Sequence, residues 1–172
     1  MKFVELSLKG AFIIEMEPQH DERGYFERTF CKKEFVAHGL KTGICQSNIS
    51  SNLYKGTVRG MHYQAAPHME AKLVSCISGI LNDIIIDIRP SSPTFKSWES
   101  IELSEYNHLS LYIPEGFAHG FMVLSESAEF LYTATSYYSP ENERGIRWDD
   151  PDLNIRWPDQ IPPILSDKDK DA

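Results

Sequence analysis

Four basic side chains in two short stretches have the types and spacing of a catalytic pocket for an anion. The first stretch reads Arg59-Gly-Met-His62-Tyr-Gln64, continues through Pro67, Glu70 and Lys72, and runs as a β-like segment into Gly79. The second reads Ile113-Pro-Glu-Gly-Phe-Ala-His119-Gly-Phe121. An imidazole takes and gives protons near neutral pH, and Arg and Lys supply donors to a phosphate or a developing oxyanion. Period-two alternation puts His62 and Gln64 on one face of a strand and Arg59 at the opposite parity. A bulge at Gly60 would bring Arg59 round to the face of His62. Each residue alone also has an ordinary role: a satisfied rim histidine, a strand-end lysine in solvent, a turn histidine at the surface. On one shared face the four repel unless something anionic sits among them.

The chain as a whole has the other sign. Its 172 residues carry a formal net charge of −8, which argues against a nucleic-acid scaffold and leaves room for a small anion site. Length and composition predict one domain, 1–172, with a core of its own. Cys31, Cys45 and Cys76 match neither a disulfide framework nor a zinc motif. The start Met1-Lys-Phe-Val-Glu has no apolar leader core, and no segment reaches the ~18 apolar residues of a membrane span. The expectation is a reduced, cytoplasmic protein without membrane contact.

The elements that must position these residues read mainly as strands. Val58–Gln64, Lys72–Ser78, Leu81–Arg89, Trp98–Leu103, Leu109–Ile113, Phe121–Leu124 and Phe130–Thr135 are short and rich in β-branched or aromatic residues, with turn residues between them. Tyr25–Phe30 alternates like a strand after the polar turn His20–Gly24. Lys32–His38 reads as a short helix stopped by Gly39. Trp148 and Trp157 should pack down a tail rich in Pro and Asp, and Ser166-Asp-Lys-Asp169 has the form of a helix-start box. Many short strands at near-regular spacing predict an all-β sandwich or barrel.

A metal reading competes. Pro114-x-Gly-x-x-His119 fits the second motif of the cupin family, and His62-x-Gln64 with Glu70 and Gly79 resembles the first. Gln64 stands where that motif has its second histidine, and an amide oxygen is a poor ligand for Fe or Zn. Arg59 and Lys72 would also oppose a dication. The expectation is a cupin-like jelly-roll barrel with short peripheral helices, no metal and a retained cleft.

Further motifs make the resemblance specific. Arg59–Gln64, Lys72-Leu-Val, Asp87-x-Arg-x-x-Ser-Pro-Thr-Phe95, Ile113–Phe121, Tyr132 followed by Tyr137-Tyr-Ser-Pro-Glu141, and Leu165-Ser-Asp-Lys-Asp169 resemble the dTDP-4-dehydrorhamnose 3,5-epimerases. So do Asp21-Glu-Arg-Gly24, Gln46-x-Asn48 and Trp148-Asp-Asp-Pro151, and the likeness covers about residues 3–170. It implies a cofactor-free epimerisation of a nucleotide-diphospho-4-keto-6-deoxy-sugar. His62 would be the base, made more basic by Asp169, with Lys72 the donor to the enolate oxygen. Tyr132 would return a proton from the opposite face. Arg23, Arg59 and His119 correspond to positions contacting diphosphate or sugar. Gln46, Asn48, Glu143 and Lys168 match further nucleotide-sugar contacts, and Phe26 and Tyr138 positions that stack on the base. The resemblance also implies a homodimer with exchanged N-terminal strands, so that Arg23 and Phe26 serve the partner's site.

One residue departs from the family pattern. Arg28 stands where the family has Glu, a charge reversal that opens CDP, UDP or GDP sugars, or an antibiotic-type deoxysugar, as alternatives; a C3- or C5-only epimerase acting on a different nucleotide sugar is the runner-up function. From other classes, a metal-dependent cupin oxygenase or isomerase and a non-catalytic sugar-nucleotide binding module also compete.

Overall fold

The structure is a computed structural model, and it describes residues 1–171. Its strands are β1 (Lys2–Glu5), β2 (Phe12–Glu15), β3 (Gln19–Asp21), β4 (Gly24–Phe26), β5 (Gln46–Asn52), β6 (Val58–Gln64), β7 (Lys72–Ser78), β8 (Ile80–Asp87), β9 (Trp98–Ser104), β10 (Leu109–Ile113), β11 (Phe117–Val123), β12 (Ala128–Ala134) and β13 (Glu143–Gly145). Two short helices, α1 (Lys32–Ala37) and α2 (Asp167–Lys170), complete the described residues. Among the described residues all strand pairs are antiparallel; they form two main sheets, ordered β1-β2-β10-β7-β12-β5 and β13-β6-β11-β8-β9, and a separate β3–β4 hairpin. The arrangement is the expected cupin-like jelly roll.

The sheets bury their facing sides against each other. Val74, Leu111 and Phe130 from the six-stranded sheet pack on Leu81, Ile85, Leu103 and Phe121 from the five-stranded one. The outer sides differ in what covers them. On the five-stranded sheet, Ile84, Ile86, Met61 and Met122 lie under the C-terminal tail, whose Trp157 donates through Nε1 to Trp148 O at 2.7 Å. Burial on both sides explains the unbroken Ile84-Ile85-Ile86 run in β8. On the six-stranded sheet, α1 covers Ile14 and Tyr112 with Phe35. Gly39 takes a left-handed φ of +73° just past α1, where a side chain would be strained.

β6, β7 and β10 have the bounds their sequences predict, and the expected helix start forms, with Ser166 Oγ accepting from Asp169 N. Several bounds are corrected. Pairing after Gly24 ends at Phe26 and does not reach Phe30, and β8 runs from Ile80 to Asp87. β11 begins at Phe117, so His119 lies within a strand and not at its start. β5 and β13 carry too few apolar residues to have been read as strands.

Candidate active site

Two adjoining cavities open between the sheets, and His62, Lys72 and Tyr132 line both. The larger, about 380 Å³, is also lined by Gln46, Asn48, Glu70, Tyr138 and Glu143. The smaller, about 220 Å³, adds Ser50, Arg59, His119 and Phe121. Register builds the six-stranded wall. Tyr132 pairs with Val74 on one side and Asn48 on the other, and Ala134 pairs with Lys72 and Gln46. Paired residues share a sheet face, so Lys72, Tyr132, Gln46 and Asn48 come to the interior together.

The opposite wall depends on a bulge. His119 pairs with His62 and Phe121 with Arg59, so β6 spends one residue more than β11 over this interval. The extra residue swings Arg59 to the His62 side, and both line the smaller cavity. Glycines permit it. A Cβ on Gly60, whose φ is +123°, would stand 2.5 Å from Gly120 Cα and 2.7 Å from His119 O. Arg59 is then fixed by its Nε donating to Asn52 Oδ1 at 2.8 Å.

His62 Nε2 donates to Asp169 Oδ1 at 2.7 Å, and Ser166 Oγ donates to the other carboxylate oxygen at 2.8 Å. Nδ1 makes no hydrogen bond to the described residues, which leaves it as the atom that can accept a proton. Asp169, expected to make His62 more basic, does pull in that direction, but burial of the ring outweighs it and the net shift is downward. The imidazole is thereby kept neutral and able to act as a base.

The expectation of four basic side chains awaiting an anion is corrected, because three of them face built-in carboxylates. His62 faces Asp169, Lys72 Nζ lies 3.1 Å from Glu70 Oε1, and His119 Nε2 lies 3.0 Å from Asp83 Oδ2. Asp83 is wholly buried and its pKa is pushed up by desolvation. Among the described residues Arg59 makes no ion pair, leaving its charge open to a ligand. Sequence reasoning gives Asp83 and Asn52 no part in the site, and Glu70 only a place in the cupin metal motif. For Glu70 a signal existed, since Glu-x-Lys places both side chains on one strand face.

At the mouth of the larger cavity, Tyr138 N donates to Gln46 Oε1 at 2.6 Å and its hydroxyl to Glu143 Oε2 at 2.8 Å. Lys168 Nζ donates to Glu143 Oε1 at 2.5 Å. Arg23 and Phe26 are not brought here. They lie on the β3–β4 hairpin, which pairs with no other strand of this chain, and Arg23 is tied to Asp21. Arg28 sits beside Glu34 at 3.7 Å and shares a separate cleft with Phe26 and Glu17.

The residues do not fit the metal centre of a cupin barrel. Gln64 spends its amide on backbone groups, donating to His68 O and Tyr137 O and accepting from Ser139 N. The two histidines are bonded to separate carboxylates, and no three His, Cys, Asp or Glu side chains among the described residues converge as a ligand set.

The model of the dTDP-4-dehydrorhamnose 3,5-epimerase family matches residues 5–172. This chain belongs to that family. It is 46% identical to the dTDP-4-dehydrorhamnose 3,5-epimerase of Shigella flexneri over 98% of its length and 93% of the relative's. The solved epimerase of Elizabethkingia anophelis superposes with a TM-score of 0.94 at 44% identity, covering 100% of this chain and 94% of that one. The dTDP-6-deoxy-D-glucose-3,5-epimerase of Legionella pneumophila, solved with dTDP-4-keto-L-rhamnose, gives 0.94 at 40% identity over 99% and 90% of the two chains. Among the described residues, no helix is long and apolar enough to cross a membrane.

Proposed function

We propose that this protein is a cofactor-independent 3,5-epimerase that converts dTDP-4-dehydro-6-deoxyglucose to dTDP-4-dehydrorhamnose. The nucleotide carrier is taken from the family and from the Legionella relative's bound sugar. One observation carries the reading. His62 projects from one sheet, Tyr132 and Lys72 from the other, into shared cavities.

The C3 and C5 protons are acidic because each lies α to the C4 ketone. His62 Nδ1 removes one of them, and Asp169 stabilises the imidazolium that forms. Lys72 donates to the enolate oxygen, where a fixed cation counts most because charge develops there. Tyr132 gives its phenolic proton to the opposite face of the same carbon, inverting it. Base and acid then re-equilibrate with water, and the second centre repeats the sequence with no net proton change.

Arg59 and His119 line the smaller cavity and bind sugar and diphosphate. Gln46, Asn48, Glu143, Lys168 and Tyr138 hold the nucleotide at the mouth. Arg23 and Phe26 reach the site of a second copy in a homodimer. In support of that assembly, Phe26 is 73% exposed on the free hairpin, and Ile49 and Ile77 stand uncovered on the outer side of the six-stranded sheet.

The test is incubation with the 4-keto sugar nucleotide in deuterated water. Deuterium should enter C3 and C5, and His62→Ala should abolish it; exchange that survives this substitution would refute the assignment. Label at one carbon only would mark a mono-epimerase.

A further inference from the structure

Glu70 is the one carboxylate inside the larger cavity wall that the proposed reaction leaves without a part. It lies just before β7, two residues from Lys72, and their side chains are only 12% and 15% exposed. No other group in the described residues forms an ion pair with Lys72. The Lys72 ammonium lies 5.9 Å from the centroid of the Tyr132 ring. Burial first, then the charges of Glu70 and Glu143, hold the Tyr132 phenol above its ordinary value. Among the described residues no hydrogen bond contributes to that shift, which leaves the hydroxyl open to a ligand.

These relationships set a problem that Glu70 solves. A buried ammonium beside a phenol favours the tyrosinate, and a tyrosinate cannot donate the proton that completes inversion. A lysine on a four-carbon stem also occupies many positions unless something fixes it. We propose that Glu70 is a positioning residue for proton transfer: its carboxylate anchors the Lys72 ammonium and cancels the charge that would draw the proton from Tyr132. Resting on the epimerase reading, this adds the control of its acid. The other groups facing Tyr132 are His62 from β6, Glu143 from β13 and Tyr138 from the loop beyond β12, with Arg59 and His119 in the smaller cavity. None of these pairs with the lysine, which Glu70 alone does among the described residues.

The test reads Tyr132 directly. Protein labelled with carbon-13 at tyrosine Cζ is titrated by NMR without substrate, the Tyr132 signal being identified by its loss in Tyr132→Phe. Glu70→Gln should move the Tyr132 midpoint, and the alkaline limb of kcat, to lower pH. Lys72→Met should move the midpoint to higher pH, and the double variant should return it toward that of the unmodified protein. At neutral pH, Glu70→Gln should lose roughly tenfold to a hundredfold in kcat with KM changed by less than about threefold, the pattern of lost positioning. Glu70→Asp, which keeps the charge, should recover the midpoint. A midpoint unmoved by Glu70→Gln and by Lys72→Met alike would overturn the proposal, as would recovery by Glu70→Ala. Because the titration needs no turnover, an unmodified protein that fails to exchange deuterium would defeat the epimerase reading alone.

Discussion

A hydrogen bond of 2.7 Å from His62 Nε2 to Asp169 Oδ1 joins a barrel strand to a helix 107 residues further along the chain. It fixes the tautomer, so the free nitrogen is Nδ1. Replacing Asp169 with Asn or Ala should lower kcat about 10²- to 10⁴-fold with a smaller change in KM. Ser166→Ala, which frees the second carboxylate oxygen, should cost less than either. Steady-state rates on the 4-keto sugar nucleotide measure both.

The pH profile follows from burial. Because the His62 pKa is lowered, its neutral form persists below the ordinary imidazole value of 6.5, and the acid limb of kcat/KM should lie below that value. Asp169→Asn, which removes the opposing charge, should move the limb lower still. Tyr132→Phe should leave deuterium exchange on the His62 side while epimer formation falls about 10²-fold or more. An acid limb above 6.5, or full epimerisation by the Phe variant, would contradict these roles.

Gly60→Ala tests the bulge. The added methyl has no space against Gly120 and His119 O, and the backbone sits at a φ of +123°. The expected cost is at least about 3 kcal/mol in urea unfolding. Any folded protein should bind nucleotide sugar weakly, since Arg59 shifts with the strand.

The free hairpin makes assembly testable. Arg23→Ala and His62→Ala should each be nearly inactive alone. If Arg23 serves the partner's site, mixing the two denatured and refolded variants should restore activity, because one site of each hetero-pair keeps both residues. Light scattering should give twice the mass of one chain. Restoration absent from a confirmed mixed dimer would place Arg23 outside the neighbouring site.

Whether Arg28 bears on the choice of base is open to a direct test. It shares its cleft with Phe26, away from His62. Arg28→Glu should change the ranking of dTDP, UDP, CDP and GDP in a thermal-shift panel while leaving deuterium exchange within about threefold. An unchanged ranking would show that the base is selected elsewhere.

Much of this architecture was legible because apolar alternation marks strands whose inner side faces a core. That signal gave the bounds of β6, β7 and β10 and the glycine at the bulge. It failed at β5. There Gln46, Asn48, Ser50 and Asn52 take the interior side while Ile49 faces out, inverting the usual pattern because the interior is a cavity. The basic residues of the site were visible as residue types, and Asp169 as the partner of His62, but the carboxylate facing His119 was not. Asp83 lies in a strand beside the run Ile84-Ile85-Ile86, and nothing in its local sequence announces the pairing with His119. Arg59–Asn52 likewise requires β5 to have been placed first.

α2 has only four residues, too few to be stable in isolation, and it meets the barrel largely through Asp169 on His62 and Lys168 on Glu143. Such an appendage can peel off as a local unit while both sheets stay intact. Mild heat or denaturant should therefore silence turnover before circular dichroism registers any melting, so thermal inactivation of this enzyme reports the loosening of one helical turn and not the collapse of its β-sheets.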